Sequence, residues 1–234
     1  MRGWRWGALG AAAMLWASVG AAESATLEEV LIPLERYTSE KARGLATTYA
    51  TELQKIFTDV TDCLPWVSVF KEGLGFRTPR WAEGDDRHLS IWVWVEQRLT
   101  PAFAALSPAG RASAMLSRYG VDLLRRLSSY RSLLREPNLA GYAVVLSWLK
   151  PDQAATRPVV ETLTVFADKA TVQGFFARTM TPAQFLERAV VTAFDGTRRL
   201  GRLALEIWDD TFTSTFTLKG HPPPKHCRQS PGSP

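Results

Sequence analysis

The sequence predicts an α+β fold: a mostly antiparallel sheet of five or six strands, with two long amphipathic helices packed on one face. Three observations predict it. Stretches of period-two alternation recur, as at 89–97 and 159–167. Two long stretches, about 34–61 and 107–135, carry apolar residues at helical spacing. Strands and hairpins do not alternate regularly with helices, which argues against a doubly wound sheet.

Residues 1–22 read as an export signal. Arg2 and Arg5 form a positive n-region, and "ALGAAAMLWASV" at 8–19 is a short apolar h-region. Cleavage after Ala21 or Ala22 leaves small residues at both required positions. The uncharged run 6–22 is at the low edge for a membrane span, so a retained anchor is the alternative. No later segment is long and apolar enough to span a bilayer. A single domain is expected over 23–218, followed by a Pro-rich, low-complexity tail over 219–234. The signal style and the excess of arginine over lysine, 21 to 7, read as a bacterial protein of the periplasm or the extracellular space. Arg2 and Arg5 leave with the signal, so 26 basic residues face 23 acidic ones. The resulting net charge of +3 is too weak to imply nucleic acid as a partner.

There are two cysteines, Cys63 and Cys227. In an oxidising compartment the pair is expected to form one disulfide, pinning the tail to the end of the first long helix. The chain-entropy model gives so long a closed loop about 5 kcal/mol. Two free thiols are the alternative, without a C-x-x-C pair to support it.

The elements follow in order. Thr26 and Glu29 have capping-box spacing, so a short helix starts there, and Pro33 kinks or ends it. The first long helix, to about Thr61, has an apolar stripe of Leu34, Tyr37, Leu45, Tyr49, Leu53, Ile56 and Val60. Residues 66–71 read as a short strand and 73–88, rich in glycine and charge, as a loop. In the strand 89–97, Leu89, Ile91, Val93 and Val95 fall on one face, and Ser90, Trp92, Trp94 and Glu96 on the other. Ser107 followed by Pro108 starts the second long helix, and Pro137 stops it. Its apolar stripe is Leu116, Tyr119, Leu123, Leu127, Tyr130 and Leu134. The two long helices carry opposite charge: a net −4 over 23–62 and a net +6 over 98–135.

The strand 139–150 is apolar on both faces, and 159–167 is the next strand. Asp168 caps a helix to about Arg178, and Thr181, Pro182 and Gln184 start another. Asp195-Gly196 between two apolar runs is the strongest hairpin signal in the chain, with 201–208 as its second arm. "TFTSTFTL" at 211–218 reads as one more strand.

The aromatic sheet residues are the first candidate site. Trp92, Trp94, Tyr142 and Trp148 can line a groove for an apolar or amphiphilic ligand, with a nearby arginine meeting an anionic head. The competing reading places them in the core, and strand 139–150 leaves open which of its faces joins Trp92 and Trp94. Arg111, Arg118 and Arg125 recur every seven residues and form the second candidate, a basic surface on helix 107–135 for an envelope protein partner. The competing reading pairs these charges within the chain, through Asp122 or the acidic first helix. Asp85, Asp86, His88 and Asp209 form the third, a hydrolase site, but no nucleophile elbow or H-E-x-x-H accompanies them. His88, His221 and His226 lack zinc spacing, so neither metal nor cofactor is expected. The leading expectation is a non-catalytic exported binding protein.

Overall fold

The computed structural model describes residues 26–64, 66–79, 82, 84–96, 100–150, 159–201, 203–208 and 227. It is an α+β fold built on a six-stranded, mostly antiparallel sheet. The order is β1 (Val67–Arg77), β2 (Arg87–Val95), β3 (Leu139–Leu149), β4 (Val160–Asp168), β5 (Val190–Asp195) and β6 (Arg198–Arg199), so sequence neighbours are also spatial neighbours. Only β2 and β3 pair in parallel. A parallel pair needs a long crossover, and the helices between residues 100 and 136 supply it.

The helical stretches are more divided than their periodicity implies. The first comprises a 3-10 turn (Leu34–Arg36), α2 (Glu40–Thr48) and α3 (Ala50–Cys63). The break before α2 has a local cause: Ser39 caps that helix, its hydroxyl accepting from the Ala42 N–H. Leu34, outside the helix, is exposed, whereas Tyr37, Leu45, Leu53, Ile56 and Val60 are buried. The second stretch comprises α5 (Pro108–Met115), a π turn (Leu116–Gly120), α6 (Val121–Ser128) and α7 (Arg131–Arg135). Ser128 and Ser129 each bond back to a carbonyl three residues earlier, and the helix ends there, before the expected Arg135. Leu116, Tyr119, Leu123 and Leu127 of the expected stripe are buried in full.

Strand β1 runs on to Arg77 through the region expected to be a loop. Its glycines are there because the backbone passes close to its neighbours. A Cβ on Gly73 would stand 2.6 Å from the Phe70 carbonyl and 2.8 Å from that of Trp92. The expected hairpin forms, with Gly196 at φ 61° in the turn between β5 and β6. Its second arm is shorter than expected. After Arg199 the chain leaves the sheet and lies along α5 and the π turn, where the Glu206 and Trp208 N–H groups donate to Ser113 Oγ (3.0 Å) and Ser117 Oγ (2.8 Å). The caps at Ser107, Asp168 and Thr181 form as read.

Helices α2 and α3 pack on β1, α6 and α8 (Lys169–Phe176) on β3, and α3 and α8 both on α6, so the helices make one layer. At its centre Arg111 of α5 meets Glu161 of β4 in a bidentate pair, Nε–Oε2 at 2.8 Å and Nη2–Oε1 at 2.5 Å. Trp148 Nε1 also donates to Glu161 Oε2, at 2.8 Å. All three residues are buried. Cys63 and Cys227 sit at disulfide distance, Cα to Cα 5.3 Å. No helix among the described residues is long and apolar enough to cross a membrane. The expected strand 211–218, the signal 1–22 and the tail 219–234, apart from Cys227, lie outside the described residues.

The ion pair generates a stability prediction. Arg111→Met should destabilise the fold by about 3–5 kcal/mol in urea unfolding, because Glu161 is left charged and buried. Arg111→Met/Glu161→Leu should recover a large part of that loss, since an apolar pair of similar volume leaves no unpaired charge. Equal losses in both variants would refute the assignment.

Candidate functional site: the helix-free face of the sheet

Strand alternation sorts the candidate aromatics onto opposite faces. Leu89, Ile91 and Val93 of β2 stand in register with Tyr142, Val144 and Leu146 of β3, all buried beneath the helices. Trp148 continues that row. Tyr142 and Trp148 therefore do not share a face with Trp92 and Trp94, which corrects the expected aromatic set. Burial pushes the Tyr142 phenol up to about 12, and Trp148 is held by Glu161. Both belong to the core.

Trp92 and Trp94 point to the other side, which no helix among the described residues covers. The register adds neighbours that sequence reading missed. Phe70 opposes Trp92 from β1, with ring centroids 4.5 Å apart, and stands edge-on to Trp94 at 6.2 Å. Phe166 of β4 and Phe194 of β5 lie on the same face two and three strands away. Trp66, just before β1, is 39% exposed and opposes Glu96. Leu149 and Val190 also face this side, so three of the four exposed large apolar residues among those described belong to it. Parity alone would have found Phe166 and Phe194. Phe70 needed the strand β1 to be placed, and Trp66 owes its position to a left-handed backbone, φ 65°, that a bulky residue adopts only where its surroundings demand it.

Between the aromatics stand hydroxyl and small residues: Ser68, Ser90, Ser147, Thr162, Thr164 and Thr192. Trp92 Nε1 donates to Ser147 Oγ at 3.0 Å, and Ser147 shares a 3.0 Å bond with Thr162. This fixes the Trp92 ring toward β3. No inward row of this face carries a charge from Ser68 on β1 to Phe194 on β5. Charges begin at the margins, with Glu96 beside Trp94, Arg77 and His88 at the opposite end, and Arg199 on β6. Strand spacing makes the uncharged area roughly 19 Å across and 13 Å along the strands, about 250 Å² in projection.

The basic row does not form a surface. Arg111 is buried against Glu161, which corrects its assignment to a solvent face. The cause is the π turn. Its i→i+5 bonding admits an extra residue, and each residue rotates a helix by about 100°, so a seven-residue repeat crossing it no longer keeps one face. Arg118 is half-buried with its guanidinium 6.0 Å from the Tyr119 ring centroid, and Arg125 lies 5.2 Å over Phe176. Asp122 pairs with Arg126 at 2.9 Å, and Asp59 of the acidic α3 pairs with it at 2.8 Å.

The acidic cluster does not converge either. Asp85 accepts from Ser39 Oγ at 2.5 Å and pairs with Arg87. The Ser39 hydroxyl first, and Arg87 after it, hold its carboxyl below the usual carboxylate range. Asp86 is exposed, His88 packs edge-on to Phe166 at 5.6 Å, and Asp209 lies outside the described residues. No group of three metal-ligating side chains occurs among the described residues. No protein-family model, curated protein or solved structure matches the chain.

Burial holds the His88 imidazole below its ordinary value of 6.5, against the opposing pull of Asp86 and Asp168. The unfolded chain therefore binds this proton first as pH falls. Stability from this group is full well above 6.5 and should decline as pH falls through 6.5 and below it. His88→Phe should flatten that part of the curve in urea unfolding at a series of pH values. An unchanged slope would show that His88 is not its source.

Proposed function

We propose that this chain is an exported, non-catalytic binding protein, and that the helix-free sheet face holds an apolar or amphiphilic small molecule. The observation that carries this reading is the uncharged face on which Trp66, Phe70, Trp92 and Trp94 stand half-covered or exposed. Aromatic rings with hydroxyls between them offer flat apolar contact together with polar groups that can orient a ligand. The pairing of Cys63 with Cys227 agrees with an oxidising compartment, and so with export.

Size argues for a small molecule as the occupant. A stable protein interface buries about 800 Å² per partner, well beyond the roughly 250 Å² projected here. Only part of that area is accessible and apolar, since Ser90, Ala143 and Ser147 within it are already buried. The indoles supply flat contact, and the Ser147–Thr162 pair offers a hydroxyl to a polar group on the ligand.

Native mass spectrometry of the exported protein is the direct test, followed by titration of tryptophan fluorescence with lauric acid as the probe. A reproducible extra mass, lost on denaturation, is expected. Trp92→Ala/Trp94→Ala should weaken lauric acid binding at least about 10-fold, at about 1.4 kcal/mol per decade, and leave a cooperative unfolding transition. Loss of that transition would return the two indoles to the core. A dimer that dissociates on the same substitutions would give the face to a second copy of the chain.

A further inference from the structure

A second cavity lies at the outer edge of β1, about 600 Å³ in volume, within the range of small-molecule sites. Its walls come from three places. The segment after α1 (Leu27–Val30) gives Arg36 and Tyr37, the end of β1 gives Arg77 and Thr78, and the start of β2 gives Asp85 and Arg87. Ile32 and Phe76 form an apolar wall. The segment is docked by backbone pairing, Leu31 bridging to Leu74, with the Ile32 N–H donating to the Leu74 carbonyl at 3.0 Å. Tyr37 is fitted closely against Gly75, where a Cβ would stand 2.3 Å from its hydroxyl oxygen.

The charge and donor count favour an anion. Three guanidiniums and one carboxylate line the described walls. The carboxylate of Asp85 is already engaged by Ser39 and Arg87. Arg36 pairs with Glu72, but Arg77 meets Glu72 only at its main-chain carbonyl, a neutral acceptor, at 2.7 Å. Arg87 Nε and Thr78 Oγ1 are shielded from water and have no hydrogen-bond partner among the described residues, a costly state for donors. The Tyr37 hydroxyl accepts from the Phe76 N–H at 3.1 Å, which leaves its own hydrogen to donate. Arg36 and Arg87 each meet one carboxylate, which leaves Arg77 as the guanidinium that faces only a neutral acceptor among the described residues and so suits an oxyanion.

We infer that this cavity binds a small organic molecule through a carboxylate or phosphate, held by Arg77, Arg87, Thr78 and Tyr37, with its apolar part against Ile32 and Phe76. The site is independent of the aromatic face. His88, the ladder partner of Arg77, stands four positions before Trp92 on β2, a distance of about 13 Å.

Isothermal titration of the full chain with phenyl phosphate tests the inference. Saturable binding is expected, weakened at least about 10-fold by Arg77→Gln and roughly 3- to 10-fold by Thr78→Val. Thr78→Val is the discriminating variant. Its hydroxyl has no partner in the unliganded fold, so the substitution should leave the unfolding midpoint unchanged or raised while binding falls. Absence of saturable binding, or binding indifferent to both variants, overturns the inference. Trp92→Ala/Trp94→Ala should bind phenyl phosphate as the unsubstituted chain does; loss there would put the anion on the aromatic face and overturn the cavity assignment. Decyl phosphate separates two sources of the same chemistry. A gain in affinity over phenyl phosphate that vanishes in Trp92→Ala/Trp94→Ala marks the head of an amphiphile, and no gain marks a free anionic molecule. Either result supports the cavity when Arg77→Gln weakens both titrants.

Discussion

The contact between Arg111 and Glu161 is the constraint on which the arrangement of the layers depends. Two charges leave water together, and two parallel N–H···O bonds plus the Trp148 indole fill the acceptor sites of the carboxylate. Apolar contacts tolerate sliding, but a bidentate pair does not. Arg111 sits in α5, Glu161 in β4 and Trp148 in β3, so one interaction fixes a helix over two strands at a defined height. The Arg111 Nη1 group also donates to the Leu106 carbonyl at 2.5 Å, tying in the chain just before the helix. The π turn begins five residues later, and it allows Arg111 to turn inward while Leu116, Tyr119 and Leu123 stay on the core.

With the helices fixed on one side, the sheet has two unlike faces. The inner one is an apolar layer from Leu89 through Tyr142 to Ala167, interrupted at the start of β4 by Glu161. On the outer one Ser90, Ala143 and Ser147 are buried, and the Trp92 indole, half-covered itself, donates across the strands to Ser147.

Much of this was readable in the residues. Alternation from Leu89 to Val95 gave the inner face of β2 correctly, and Asp195-Gly196 gave its hairpin. Ser107, Asp168 and Thr181 each marked a helix start through a side chain that accepts a backbone N–H. What remained hidden has physical reasons. Strand 139–149 is apolar on both sides, so Tyr142 and Trp148 carried no sign of which side they take. A π turn adds one residue without leaving a signature in composition, so the arginine repeat looked like a surface. Gly73 and Gly75 resembled loop residues, although they mark places where two backbones, or a backbone and the Tyr37 hydroxyl, come too close for a side chain. The edge cavity had no signature at all, because its walls are assembled from segments about 40 residues apart in the chain.

The link between Cys63 and Cys227 spans 164 positions, and all six strands lie between its ends. Reducing it would untie Cys227 from the end of α3 and return to the unfolded chain the arrangements that so long a closed loop forbids.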